Sequence, residues 1–90
     1  MTNKQFMVQV LSKEIMKSLS HLYLNQVTLP PKVRNALAVY LFQCLDALKE
    51  VAGLPERTTL DKLVQALPKM AEHPIPNLKA ALALAHRSQS

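Results

Sequence analysis

Glycine is nearly missing from this chain: Gly53 is the only one in 90 residues. A β-rich domain needs positive-φ turn residues about every eight to twelve positions, and side chains other than glycine adopt that conformation reluctantly. The shortage argues against a sandwich, a barrel or a meander. Tryptophan is absent and the aromatics are Phe6, Tyr23, Tyr40 and Phe42, so the core must be aliphatic. Cysteine occurs once, at Cys44, which rules out an intrachain disulfide or a cysteine metal cluster and fits a reducing, cytoplasmic setting. Long apolar runs are lacking as well. The longest, from Ala36 to Phe42, falls far short of the roughly 18 residues a membrane span requires. Near the N-terminus, Gln9, Ser12, Lys13 and Glu14 break the pattern before a signal-type run accumulates. A soluble protein without a membrane partner is expected.

What is present is helical. The prolines, Pro30, Pro31, Pro55, Pro68, Pro74 and Pro76, fall between stretches rich in Leu, Ala, Val, Lys and Gln. Thr2 followed three positions later by Gln5 has the form of a capping box, which starts a first helix. Its apolar stripe is Met7, Leu11, Ile15, Leu19 and Leu22, widened by Val8, Met16 and Tyr23. Gln9, Lys13, Lys17, Ser20 and His21 lie opposite. A second helix is expected from Pro31 to about Ala52, with Gly53 as its stop. Its stripe is Val33, Leu37, Tyr40, Leu41, Cys44, Leu45, Leu48 and Val51, and a second strip is formed by Val39 and Phe42 with Ala38. Thr58 with Asp61 caps a short third helix bearing Leu60, Leu63, Val64 and Leu67, and Lys69 to His73 add one further turn. Pro74-Ile75-Pro76 forces an extended link, and a last helix runs from about Pro76 to His86 before a frayed tail. The expectation is one all-α domain over 1–90, a bundle of two long and two shorter helices with the second central.

Catalytic groupings are scarce. Cys44 sits on an apolar stripe with no histidine near it in sequence, which fits a small buried hydrophobe better than a nucleophile. His21, His73 and His86 have no ligand spacing, so neither a metal nor a cofactor is expected. One glycine cannot build a phosphate-cradling loop. A non-enzymatic module is the expectation.

Two surfaces stand out. The chain carries a net charge of +5. Lys13, Lys17 and His21 recur every four residues, and Lys32 and Arg34 occupy the first turn of the second helix, where cations oppose the helix dipole. Both groups are candidates for an anion or an acidic partner. Val39 and Phe42 with Leu84 of the last helix are the apolar candidates for a protein partner or a second copy, because they exceed what a small monomer needs to bury. Phe42 lies about 200° around the helix from Tyr40 and Cys44, so it cannot share the centre of their face. The rival reading is a small basic nucleic-acid-binding protein. It lacks a recognition element: no short helix-turn-helix turn and no basic-aromatic interleaving.

Overall fold

A computed structural model of the chain describes residues 2–67 and 75–89. It contains four helices, α1 (Asn3–Leu24), α2 (Pro31–Ala52), α3 (Leu60–Ala66) and α4 (Leu78–Arg87), and no strand among the described residues. Local chemistry explains most of their ends. The Gln5 amide donates to Thr2 Oγ1 at 3.1 Å and the Thr2 amide donates to Gln5 Oε1 at 3.0 Å, closing the expected capping box. At the other end of α1, the Asn25 side chain and backbone both donate to the His21 carbonyl, and the turn over 25–28 leads to Pro30. Pro31 opens α2, its fixed φ suiting a first helical position. Gly53 closes it at φ +69°, with the next amide, Leu54, reaching back to the Lys49 carbonyl at 2.8 Å.

The two short helices start later than the sequence suggests. α3 is capped by Thr59, whose hydroxyl accepts from the Lys62 amide at 3.2 Å, rather than by Thr58. Thr58 is engaged elsewhere: its amide closes a turn onto the Pro55 carbonyl. α4 starts at Leu78 rather than Pro76, because the Asn77 side chain accepts from the Ala80 amide at 3.0 Å and so supplies the cap. It runs one residue past His86. The further turn expected over 69–73 lies outside the described residues.

Buried apolar side chains from all four helices form one aliphatic cluster. α1 contributes Ile15, Met16, Leu19 and Leu22; α2 contributes Ala38, Leu41, Cys44, Leu45 and Leu48. Leu60, Leu63 and Val64 come from α3, and Ala81, Leu82, Leu84 and Ala85 from α4. α1 and α2 form an antiparallel hairpin, with Ala52 of α2 beside Thr2, Gln5 and Val8 at the start of α1. The close backbone approaches are α1 to α2 and α1 to α4. Small side chains permit this: Ala81 and Ala85 are fully buried on α4, and α1 buries two serines, Ser18 and Ser20. Between α2 and α4 the bridging groups are longer, Asn35 to Ser88 and Phe42 to His86.

Several positions change face. Ser20 was expected on the polar side of α1 and is buried, as is Ala38, expected on the outer strip of α2. Met7, Val33 and Tyr40 were expected on core stripes and are exposed. The interhelical seam is therefore rotated, towards the side that α4 covers and away from the side it leaves open.

Candidate functional site

The three apolar candidates do not form a surface. Leu84 is 4% exposed and belongs to the core, because α4 is buried over a wide arc that includes it with Ala81, Leu82 and Ala85. Phe42 is half-buried against the core, with its ring centroid 5.4 Å from that of His86. It makes an internal contact with the last helix. His86 is held in place from the other side by Asp61 of α3, Nε2 to Oδ1 at 3.0 Å. Val39 is left as a solitary exposed valine.

Besides Leu24 and Val27 at the α1–α2 turn, large apolar side chains are exposed along both helices of the hairpin. Phe6, Met7 and Val10 of α1 and Val33 and Tyr40 of α2 all stand in solvent. Tyr40 and Cys44 of α2 perturb each other's titration there, and the Glu14 charge of α1 acts on both. Glu14 is four residues after Val10 and seven after Met7, so it shares their side of α1. Val33, seven before Tyr40, shares the Tyr40 side of α2. The result is a two-helix apolar face.

The basic ridge continues that face. Lys13 falls seven residues after Phe6 and Lys17 seven after Val10, which puts all four on one line of α1 with His21 beyond them. All are exposed. Sequence reasoning treated Lys13, Lys17 and His21 apart from any apolar group and missed Phe6, Met7, Val10 and Tyr40 as surface residues. The signal was the spacing itself, Phe6-Val10-Lys13-Lys17, which repeats the helical period on the solvent side.

The second basic group is rearranged. Lys32 is exposed, whereas Arg34 turns into a cleft of about 340 Å³ lined by Pro31, Asn35, Leu84, Arg87 and Ser88. Asn35 Nδ2 donates to the Ser88 carbonyl at 3.0 Å, fastening the end of α4 over the first turn of α2. Arg87, read from the sequence as part of a frayed tail, thereby meets Arg34.

The thiol is poorly suited to attack. Burial pushes its pKa above the ordinary value of 9.0, the Glu14 charge pushes the same way, and the hydrogen bond with Tyr40 pulls against them. Hydrogen bonding with Cys44, followed by its charge, likewise raises the Tyr40 hydroxyl. Cys44 stays protonated at neutral pH, as a packing group would. Among the described residues no group of His, Cys, Asp or Glu is placed to hold a metal ion, and no helix is long and apolar enough to cross a membrane. No protein-family model, curated protein or solved structure matches the chain.

Proposed function

We propose that this protein is a non-enzymatic interaction module whose open α1–α2 face receives an acidic amphipathic helix of a partner protein. The observation that carries this reading is the exposure of Phe6, Met7 and Val10 on the side of α1 that also bears Lys13 and Lys17, with Val33 and Tyr40 exposed on α2. Exposed apolar patches of this kind mark interaction surfaces, and an amphipathic helix is the element that fills the groove between two helices. The lysines set the sign of the partner: its flanking residues are Asp and Glu, which the net charge of +5 also attracts over distance.

A second copy fits less well. Two-fold pairing through this face would set Lys13 and Lys17 near their own counterparts. A nucleic-acid role uses the same lysines but leaves the five apolar side chains with no purpose.

The test uses two synthetic helical peptides of identical leucine pattern, one flanked by Glu and one by Lys. Calorimetry should show the protein binding the acidic peptide and not the basic one. Val10→Glu should weaken binding at least about tenfold, the size expected for losing a central apolar anchor, while circular dichroism stays helical. Equal affinity for both peptides, or no effect of Val10→Glu, overturns the proposal. Light scattering that shows a dimer broken by Val10→Glu overturns it in favour of self-association.

A further inference from the structure

Arg34 and Arg87, distant in sequence, line one cleft at the junction of α2 and α4. We propose that this cleft binds the phosphate of a phosphate monoester, held between the two guanidinium groups. The site is separate from the α1–α2 face and does not rest on the partner reading.

Three observations converge on an oxyanion. Neither arginine forms an ion pair with a carboxylate among the described residues, and the residues lining the cleft include two arginines and no acid. Arg34 Nε is buried and has no hydrogen-bond partner, a condition that costs free energy and that native structures rarely leave unrelieved. Arg34 also lines the cleft, and an arginine fork pairs bidentately with phosphate oxygens. Around the arginines the cleft has further donors. Ser88 lines it, and α2 starts at its edge with Pro30, which gives no side-chain cap to the first-turn amides. The Asn35–Ser88 bond fixes the distance between the two helix ends, so the donors are positioned before any ligand arrives.

The cleft favours a terminal phosphate over a nucleic-acid backbone. Two arginines balance one dianion, whereas tracking a backbone requires a row of cations along a groove. Lys13 and Lys17 do not line the cleft.

The experiment is calorimetric titration of the full chain with O-phosphoserine, inorganic phosphate and a single-stranded DNA 12-mer, in a chloride buffer of constant ionic strength. O-phosphoserine should bind saturably, and its affinity should fall as pH drops through about 6, where the phosphate loses its second charge. Arg34→Gln and Arg87→Gln should each weaken binding at least about tenfold, the loss expected for a charge-assisted hydrogen-bond pair. Arg34→Lys should not restore it, and Lys62→Gln, on the exposed side of α3, should leave it unchanged. If Arg34→Gln fails to fold, Arg87→Gln carries the test, since Arg87 is exposed. Inorganic phosphate binding as tightly as O-phosphoserine makes the free ion the ligand and overturns the monoester assignment. No saturable binding, or binding indifferent to both arginines, overturns the site. DNA that binds more tightly than O-phosphoserine and without pH dependence overturns it in favour of a nucleic-acid surface.

Discussion

On one flank of α2, Phe42 and Asn35 are met by His86 and Ser88 of α4; on the other, Val33 and Tyr40 stand in solvent, as do Met7 and Val10 of α1. Each flank of α2 carries an aromatic, Phe42 on one and Tyr40 on the other. What differs among the described residues is the contact with α4, which Phe42 and Asn35 make. A large apolar side chain therefore reports on the surface only after its cover is known. The covered flank contributes to stability, and the exposed one is the proposed binding face.

Substitutions can separate the two flanks. The largest effect is expected in the shared core, where Leu41→Ala or Leu45→Ala should cost about 2–5 kcal/mol, the range for emptying a packed leucine site. A domain of this size has a total stability of roughly 5–10 kcal/mol, so urea titration should find either variant largely unfolded or close to it. Leu84→Glu should be as damaging, because it places a charge in the cluster of α4. A Leu84→Glu protein that melts like the wild type would mean that α4 does not cover this flank.

Gly53→Ala comes next, at about 1 kcal/mol. Nothing lies within 4 Å of the added Cβ, so its cost is the strain of φ +69° and not a clash. A loss that equals the core variants in a thermal melt would contradict that origin.

Smaller still is the pH response of the open flank. Cys44 and Tyr40 both have raised pKa values, so the folded chain keeps protons that the unfolded chain gives up. Stability should be unaffected at neutral pH and fall as pH rises through about 9, where the unfolded thiol ionises first. Denaturation curves of Cys44→Ala should show a shallower alkaline decline. An identical decline would place its source elsewhere.

The parts of this fold that were legible in the sequence are those decided within a few residues. Thr2 with Gln5, Pro31 and Gly53 are such signals, and each acts where the spacing says. Adjacent alternatives blurred the others: Thr58 and Thr59 both offer a hydroxyl, and Pro76 stands just before the stronger cap Asn77. The covered flank was not legible. It depends on where α4, with Ala81 and Ala85 fully buried, crosses α1, and no local pattern reveals that. The Arg34–Arg87 cleft was hidden for the same reason, because its halves meet only after α4 docks. Phe42 and Leu84 therefore looked like surplus surface, while Phe6 and Val10, in line with Lys13 and Lys17, were assigned to neither the core stripe nor the basic ridge.

The most direct test sets one charge on each flank and reads folding and binding together. Val10→Glu and Leu84→Glu are compared by two-dimensional amide NMR, alone and with the Glu-flanked helical peptide. The account predicts a native spectrum for Val10→Glu with peptide-induced shifts abolished, and collapse of the spectrum for Leu84→Glu. A native Leu84→Glu spectrum with peptide binding lost, beside a Val10→Glu protein that binds as the wild type does, would reverse the assignment of the two flanks.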